Sequence, residues 1–368
     1  AWDPFVLETT GREVLFQYDG SAWNPIISYG SFTVYVDGTS GTDSQAGGTA
    51  TGASAFATIQ YAIDQIPPLY SGNVTINISA DTYNEDVAIL GKTPTGNYSI
   101  TIQGAETTLD SITASSGVQG TGATQGSVTR NSGTWTSNQR QDKWIKGTSG
   151  NNNGIHRVID SNTSTVATIC GNWDGSISTS DTFEVYEPAT IVDSILIKSG
   201  QTSVNINTIK MTGTSGMTIT EPLSQSVWNY LWVDAGSTQN HSWDGKVSLQ
   251  SCLSSQTRNN IQFNFEMRNS KVDRGDGSDA IRVRNKSFAK FQAGNVFDGS
   301  SSGTAIGVEA SSTASFTLSS SFGYNRIRNW TTGIDADQGG NANTVSQNQY
   351  SGNTTNENAN ATEYSYIG

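Results

Sequence analysis

The sequence predicts an all-β protein, a solenoid of stacked coils that is closed at one end by a single amphipathic helix and interrupted by a small antiparallel β insertion. Three observations predict this fold class. Short apolar runs alternate with polar positions, in a chain rich in Gly, Ser, Thr and Asn. One helical pattern occurs early in the 368-residue chain. Related segments recur near the C-terminus at intervals of one coil.

The helical pattern covers residues 54–66. Its apolar residues recur at helical spacing, Ser54 is a candidate N-cap, and Pro67 and Pro68 end the helix. Three β-type runs separated by turn residues follow it, at 73–79, 85–90 and 98–104. Because a solenoid exposes an apolar end, an amphipathic helix laid across the first coil keeps that end soluble.

Three segments near the C-terminus share an apolar start and a later asparagine. The isoleucines are 25 and 28 residues apart, and the asparagines are 30 and 23 residues apart. The positions are Ile281, Ile306 and Ile334, and Asn295, Asn325 and Asn348. This spacing predicts one coil per repeat. Asparagines at equivalent turn positions are predicted to stack as a structural ladder.

The segment from 117 to 190 differs from these repeats. Its polar turns and four short β-type runs predict antiparallel hairpins inserted into a loop of one coil. His156 lies in this segment and is predicted to be a structural histidine with its hydrogen bonds satisfied. The tryptophans are either core residues or an accessory sugar surface, and the core interpretation is favoured. They are Trp135, Trp144 and Trp173.

The charge balance excludes several classes of protein. With 20 Lys and Arg against 32 Asp and Glu, the net charge of −12 repels nucleic acid and anionic membranes. No apolar run approaches the roughly 20 residues that span a bilayer, and the N-terminus has no signal-peptide pattern. Cys170 and Cys252 are predicted to be buried free thiols, with one disulfide between them as the alternative. With two histidines, a multi-histidine metal site is poorly supported.

The residues around the helix carry a family resemblance. The segments "TVYVDGTSGTDS", "AFATIQYAIDQIP", "NVTINISADTYNEDVAI" and "ITIQGAETTLD" resemble the opening of the pectate-lyase-like superfamily of right-handed parallel β-helix proteins, which includes many phage tail spikes. The resemblance implies this fold, capped by the helix. It implies no particular activity, because the superfamily includes lyases, hydrolases, esterases, epimerases and binding proteins. No catalytic residue is therefore transferred from the family.

A shorter resemblance lies near the N-terminus. The segment "DGSAWNPI" (19–26) resembles the connectors that join modules in phage tail fibres and tail spikes. It implies a virion tail or another extracellular location, and a homotrimer, because tail spikes use three parallel β-helices. The alternative interpretation is a strand pair packed against the helix cap.

The run "VWNYLWVDAG" predicts a platform for sugars. Period-two alternation places Val227, Leu231 and Val233 inward and leaves three aromatic side chains on the opposite face. Aromatic rings with polar tips suit the C–H faces of sugar rings. The predicted substrate-binding aromatics are Trp228, Tyr230 and Trp232. The equally weighted alternative is that the loop at 237–246, or another subunit, covers this face.

Charged residues follow on neighbouring coils, if the coils stack in register. Arg282 and Arg284 are predicted to bind the carboxylate of a uronate or sialate. Three carboxylates would lie near the separations that retaining and inverting glycosidases use. These candidate catalytic residues are Glu266, Glu309 and Asp335. Surface ion-pair ladders need the same residue types and are the alternative.

The Gly-rich segment "DRGDGSD" is a candidate calcium site. Its carboxylates would hold a hard cation, as in calcium-dependent lyases, with Arg274 or Lys271 close enough to act as a base. The segment lacks the alternating ligands and terminal Glu of an EF-hand loop, and a solvated acidic turn is the favoured alternative. The candidate metal ligands are Asp273, Asp276 and Asp279. No other cofactor is expected.

These observations divide the chain into a connector (1–30), the helix cap with the first coils (31–116), the inserted β subdomain (117–190) and the main coils with a tail (191–368). The favoured function is a tail-spike or tail-fibre module that binds a bacterial surface polysaccharide or another acidic polysaccharide. Depolymerase activity is left open. The alternatives are a secreted monomeric lyase or glycoside hydrolase of the pectate-lyase-like class, and a non-catalytic virion protein.

Overall fold

The structure, a computed structural model, describes most of the chain with gaps that fall mainly in its second half. The described residues are 13–18, 23–44, 47–198, 203–212, 217–219, 223–233, 240–250, 252–255, 258–262, 264–274, 280–283, 288–292, 294–299, 303–309, 312–316, 324–338, 341–345, 348–357 and 361–364. These residues are mostly in β-strands, with almost no helix, which confirms the predicted predominance of β-structure. No helix in these ranges is long and apolar enough to cross a membrane.

The N-terminal part combines short strands with one helix. The elements are β1 (Glu13–Tyr18), β2 (Trp23–Tyr29), β3 (Phe32–Val36), a 3-10 turn (Gly52–Ser54), α1 (Ile59–Asp64), β4 (Leu69–Ser71), β5 (Val74–Ile78), β6 (Asp81–Leu90), β7 (Thr93–Pro94) and β8 (Ser99–Gln103). β1 and β2 pair antiparallel, and β2, β4 and β7 then pair in parallel.

α1 is shorter than the sequence pattern predicts, and its N-cap is Thr58 rather than Ser54. The Thr58 hydroxyl accepts a hydrogen bond from the Tyr61 amide. The Glu85 carboxylate accepts the next two free amides, those of Ile59 and Gln60. These acceptors satisfy amides that have no partner within a helix, so the helix begins here. It packs its buried face against β3, β5 and β6.

The insertion is a closed barrel of six antiparallel strands. They are β9 (Glu106–Val118), β10 (Ser127–Arg130), β11 (Trp144–Gly147), β12 (His156–Asn162), β13 (Val166–Ile169) and β14 (Thr182–Pro188), with a 3-10 turn at Gly150–Asn152. The barrel has its own core around Trp135 and Trp173, while Trp144 is buried on its outer side. All three tryptophans are therefore core residues, as predicted. The first barrel strand begins at Glu106, within the range predicted for the first coils.

The remaining strands are short and follow one another closely. They are β15 (Thr190–Lys198), β16 (Ser203–Asn207), β17 (Ile209–Met211), β18 (Met217–Ile219), β19 (Leu223–Asn229), β20 (Trp232–Val233), β21 (Asn240–Gln250), β22 (Leu253–Ser255), β23 (Arg258–Gln262), β24 (Asn264–Arg268), β25 (Lys271–Arg274), β26 (Ile281–Val283), β27 (Phe288–Phe291), β28 (Val296–Gly299), β29 (Thr304–Glu309), β30 (Thr313–Phe316), β31 (Arg326–Arg328), β32 (Thr332–Gln338), β33 (Asn341–Val345), β34 (Gln349–Ser351), β35 (Thr355–Glu357) and β36 (Ala361–Tyr364).

These strands stack in three parallel ladders. The first ladder joins β3, β5, β8, β16, β19, the end of β21, β24, β27, β30, β33 and β36. The second joins the starts of β6 and β15 to β17, β20, β22, β25, β28, β31 and β34. The third joins the ends of β6 and β15 to β18, the start of β21, β23, β26, β29, β32 and β35. The barrel lies between β8 and β15, where the chain passes from the first ladder to the second.

The predicted repeat register is confirmed in the third ladder. Ile281 pairs with Ile306, and Ile306 pairs with Ile334. All three side chains are buried. Because parallel strands in a ladder lie about 4.8 Å apart, equivalent residues of successive repeats form continuous rows. Inward rows of this kind build the core.

The predicted asparagine ladder is also present, at the turn between the first and second ladders. Asn295 Nδ2 donates to Asn325 Oδ1 (3.0 Å), and Asn325 Nδ2 donates to Asn348 Oδ1 (3.5 Å). The row continues upward, because Asn295 Oδ1 accepts from the Ser270 amide (3.1 Å) and Ser270 Oγ from the Cys252 amide (3.0 Å). These bonds satisfy polar groups that the turns bury. Cys252 is a buried free thiol, as predicted, and so is Cys170.

Candidate functional site

The structure overturns the predicted position of Trp228. This side chain is fully buried, and its Nε1 donates a hydrogen bond to the Val204 carbonyl (2.8 Å). It occupies an inward row of the first ladder, between Ile206 and Leu249. The predicted alternation failed because β19 ends at Asn229 and the chain turns at Tyr230, whose φ is 56°. A left-handed turn residue resets the inward and outward alternation on the next strand.

Tyr230 and Trp232 are half-buried against the barrel. Tyr230 stacks on His156, with ring centroids 4.2 Å apart. Trp232 contacts Trp144 at 6.0 Å, and the Nζ atoms of Lys143 and Lys210 lie 4.6 and 3.8 Å from its ring centroid. The barrel therefore covers part of the face around Tyr230 and Trp232. The two rings attach the barrel to the ladders.

An ionic cluster forms the other half of the contact between barrel and ladders. Barrel residue Asp160 is 2% exposed and accepts from Arg328 Nη2 at 2.8 Å. Lys271 Nζ lies 3.7 Å from the same carboxylate and 2.7 Å from Asp142. Burial by itself raises the pKa of Asp160, but Arg328 and Lys271 outweigh it and lower the pKa. We call Asp142, Asp160, Lys271 and Arg328 the junction cluster.

Lys271 is wrong as a candidate base. Its side chain is fully buried in the junction cluster. Burial by itself lowers its pKa, but Asp142 and Asp160 outweigh burial and raise it above the usual range of a lysine. A lysine that acts as a base must lose its proton near neutral pH, which this environment opposes.

His156 is a structural histidine, as predicted. Its Nδ1 lies 2.6 Å from the Tyr186 hydroxyl, and its ring stacks on Tyr230. Burial, with smaller contributions from Lys146 and Arg157, lowers the pKa of His156 from 6.5 to about 4. The imidazole is therefore neutral in the folded protein at pH 5 to 7, where an unfolded histidine takes up a proton.

This difference predicts acid destabilisation. Below pH 6.5 the unfolded chain binds a proton at His156 that the folded chain rejects until about pH 4. Stability therefore falls as pH falls through this window. Between pH 7 and 4.5 we expect a loss of about 2 to 3 kcal/mol from this group. Urea unfolding of wild type and His156→Gln at both pH values measures it. His241→Gln is the control, and an equal loss in wild type and His156→Gln would contradict the assignment.

The predicted catalytic carboxylates do not share one face. Glu266 lies in β24 of the first ladder and pairs with Lys290. Glu309 and Asp335 lie in the third ladder, where Asp335 pairs with Gly307 and Glu309 pairs with Gln338. The run that was expected to form one strand is divided between β23 and β24, which belong to different ladders. Only Glu309 and Asp335 remain neighbours.

The remaining predicted site residues are described in part. Arg282 pairs with Gly307 in the same row as Asp335, as the assumed register requires. Asp273 lies in β25. Arg284, Asp276 and Asp279 lie outside the described residues, so the calcium site stays a prediction. Among the side chains that the structure describes, no three His, Cys, Asp or Glu residues converge on a common point.

A feature that the sequence reasoning missed is a row of amides on the outer face of the first ladder. Tyr35 pairs with Asn77, Asn77 with Gln103, Gln103 with Asn207, and Asn207 with Asn229. All five side chains are half-buried, and each ends the strand or precedes its last residue. We call Asn77, Gln103, Asn207 and Asn229 the amide row. Its sequence signal is a polar, apolar, amide triplet that recurs as "TIN", "TIQ" and "NIN".

The amide row has free hydrogen-bonding capacity. Within the described residues the side-chain amide of Asn77 has no protein partner. Gln103 uses Nε2 to bind the Gly104 carbonyl (2.9 Å), and Asn229 Nδ2 binds Asn207 Oδ1 (2.9 Å). This leaves Gln103 Oε1, Asn207 Nδ2 and Asn229 Oδ1 directed to ligands or water. With rungs about 4.8 Å apart, the row presents alternating neutral donors and acceptors along the ladder axis.

A pocket opens at the N-terminal end of the amide row. It lies where β3, β5 and β8 end and has a volume of about 190 Å³. That volume lies below the roughly 300 to 1,000 Å³ typical of sites for drug-sized ligands. Val36 and Ile78 close its floor, with their side chains turned into the core. We call this the end pocket, and its polar and aromatic lining comes from Tyr35, Asp37, Asn77, Ser79 and Gln103.

Comparison with known proteins finds no matching family model and no matching curated protein sequence. Three solved structures with low similarity are phage tail spikes. The tailspike protein gp49 from Pseudomonas phage LKA1 is 12% identical with a TM-score of 0.31, covering 78% of this chain and 51% of that one. The gp54 tailspike of Acinetobacter baumannii phage AP22, solved with a capsular saccharide, is 9% identical with a TM-score of 0.21, covering 79% and 71%.

The third is the gp61 tailspike of Pseudomonas phage phi297, which is 10% identical with a TM-score of 0.19, covering 84% of this chain and 70% of that one. TM-scores below 0.5 at these identities do not establish a common fold or function. The chain spans about half the length of the LKA1 tailspike.

Proposed function

We propose that the chain is a tail-spike-type module of a phage virion that binds a bacterial surface polysaccharide along the amide row. In this proposal the three ladders are the faces of a right-handed parallel β-helix, and α1 caps its N-terminal end. The observation that carries the proposal is the amide row itself. It is a half-buried line of neutral side chains in which Gln103 Oε1, Asn207 Nδ2 and Asn229 Oδ1 are not used in the hydrogen bonds within the row.

The physical fit is between a repeating surface and a repeating ligand. A ladder rung recurs about every 4.8 Å, and a polysaccharide presents hydroxyl groups along its whole length. The groups left free include acceptors, Gln103 Oε1 and Asn229 Oδ1, and a donor, Asn207 Nδ2, so the row as a whole can meet hydroxyls in either role. The net charge of −12 disfavours phosphate backbones. The resemblance of the opening segment to tail spikes supports the same conclusion.

Binding predicts a specific loss in a double variant of the row. Asn207→Ala with Asn229→Ala removes two neighbouring amides and is expected to weaken polysaccharide binding by about tenfold, since each lost hydrogen bond contributes about 0.5 to 1.5 kcal/mol. Binding is measured by calorimetry against purified capsular polysaccharides and O-chains. The matched control is Asn151→Ala with Asn153→Ala, two exposed barrel asparagines. Unchanged polysaccharide binding by the Asn207→Ala and Asn229→Ala double variant would contradict the proposal.

Depolymerase activity remains part of the proposal, with Glu309 and Asp335 as the carboxylates to test. They lie on adjacent strands of the third ladder, where Asp335 pairs with Gly307 and Glu309 pairs with Gln338. Asp335→Asn should abolish the release of reducing ends from a bound polysaccharide, whereas Glu266→Gln in the first ladder should not. Full activity in Asp335→Asn would remove Asp335 from the mechanism.

The proposed assembly is a homotrimer, which is the arrangement implied by the tail-spike resemblance. Light scattering on the purified chain should give three times the mass of one chain. A monomer would instead favour the alternative of a secreted polysaccharide lyase or hydrolase of the pectate-lyase-like class. Assays for unsaturated products on polyuronides would then be the next measurement.

A further inference from the structure

The end pocket is lined by an acidic residue, whereas the predicted carboxylate-binding residues, Arg282 and Arg284, are cationic. Its lining residues include Asp37 and no Lys, Arg or His. A second carboxylate, Asp81, lies close by, because its Oδ2 accepts from Thr39 Oγ1 (3.2 Å) beside the Asp37 turn. Burial raises the pKa of Tyr83, which lies next to this turn, and both Asp81 and Asp37 raise it further. The field in this region is therefore negative.

We propose that the end pocket binds one neutral sugar residue and discriminates against uronic and sialic acids. The inference rests on the proposed function, because it names the class of sugar that one end of that binding face selects. It departs from the acidic polysaccharide that Arg282 and Arg284 suggested from the sequence. Arg282 belongs to the third ladder, whereas the end pocket lies on the first ladder.

The pocket is preorganised to accept hydroxyl donors. Asp37 Oδ1 is held by the amides of Thr39 (3.1 Å) and Ser40 (2.9 Å), which fixes the carboxylate. Its Oδ2 has no partner among the described residues. Asn77 and Gln103 line the pocket on neighbouring rungs and add two further acceptor atoms, Asn77 Oδ1 and Gln103 Oε1. A fixed carboxylate beside amides binds vicinal hydroxyls without a large ordering cost.

The aromatic side chain completes the match to a sugar ring. Tyr35 lines the pocket and is half-buried, so part of its ring faces the cavity. Such a ring offers an apolar surface to the C–H groups of a pyranose and a polar tip to solvent. A uronate brought to the same place would put its carboxylate near Asp37, and two like charges at short range repel strongly where solvent is partly excluded.

Matched sugars that differ only at C6 test this inference. Glucose with glucuronate, and galactose with galacturonate, are titrated into the full chain and followed by saturation-transfer NMR. We expect at least one neutral sugar to bind with a dissociation constant on the order of millimolar, and its uronate about tenfold more weakly. Asp37→Asn keeps an acceptor for the Thr39 and Ser40 amides and should reduce this preference to about twofold or less. Asp64→Asn, on the exposed side of α1, is the control.

A second variant checks the location of the site. Tyr35→Leu keeps an apolar side chain but removes the aromatic ring, and it should weaken binding of the neutral sugar about tenfold. Uronates that bind as well as the neutral sugars, or a preference that persists in Asp37→Asn, would overturn the inference. So would the absence of binding by either neutral sugar.

The outcomes separate the inference from the proposed function. Polysaccharide binding that is lost in the Asn207→Ala and Asn229→Ala variant, with no sugar preference at the end pocket, would overturn the inference alone. A neutral-sugar preference without binding to any surface polysaccharide would overturn the proposed function while leaving the pocket chemistry intact.

Discussion

Replacing Asp160 by asparagine is expected to lower the free energy of unfolding by about 3 to 5 kcal/mol. Asp160 is the centre of the junction cluster, where it lies between Arg328 and Lys271. Lys271 is fully buried, so it cannot regain the lost interaction from water. The substitution keeps the shape of the side chain, removes its charge and replaces one acceptor oxygen by an NH2 group that faces donors from Arg328 or Gln125. Lys271 retains Asp142 and Arg328 retains Asp298, so the loss measures the charge-assisted bonds that Asp160 itself makes in a buried site.

Chemical unfolding at pH 7 measures this prediction, with Asp193→Asn as the control. Asp193 lies on β15, is half-buried and has no side-chain partner among the described residues. Its substitution should change stability by no more than about 0.5 kcal/mol. Because the folded-state pKa of Asp160 is lowered, its contribution is present above the unfolded pKa and is lost as pH falls below about 4. Equal stability of Asp160→Asn and wild type would show that the cluster contributes little.

Replacing Trp228 by alanine is expected to cost about 3 to 5 kcal/mol of folding stability. The side chain is fully buried in an inward row, and removing it leaves a cavity beside Ile206. The hydrogen bond from Nε1 to the Val204 carbonyl is lost as well. Were Trp228 a solvent-exposed sugar platform, the same substitution would leave stability nearly unchanged and remove binding.

Trp228→Phe separates packing from the hydrogen bond. It retains most of the buried ring and loses the Nε1 donor, so we expect a smaller loss, of about 1 to 3 kcal/mol. Binding of polysaccharide by the folded Trp228→Phe protein should match wild type, because the ring faces the core. If Trp228→Phe unfolded like wild type but bound polysaccharide less tightly, Trp228 would have to be part of the binding surface.

The asparagine and isoleucine repeats were predictable because local pattern and tertiary position coincide there. Ile281, Ile306 and Ile334 occupy equivalent inward positions, and Asn325 lies at the centre of the predicted turn ladder. Each coil meets only its neighbours, so the spacing in sequence maps directly onto stacking in space. The β-runs, the buried thiols and the barrel tryptophans were also predictable, because each depends on residues close together in sequence.

The outer surface was not predictable in the same way. Alternation along "VWNYLWV" assumes one continuous strand, and a single left-handed residue, Tyr230, ends that strand. The pattern predicts Glu266 on the same outer face as Glu309 because it does not reveal the boundary that divides the run between β23 and β24. The amide row was overlooked because its members are distant in sequence, and only the pairing of strands brings Asn77 and Gln103 next to Asn207.

The sequence by itself determined the β-rich class, the coil spacing and the buried rows, since these depend on short-range periodicity. It also determined the low content of charged residues and the net negative charge, which depend on composition. Tertiary structure alone decided which faces remain open. The barrel covers Tyr230 and Trp232, and Asp160 reaches Lys271 across 111 residues of chain. Such contacts depend on how an inserted unit docks on the ladders. Docking is set by matching shape and charge over a whole surface, which no short segment encodes.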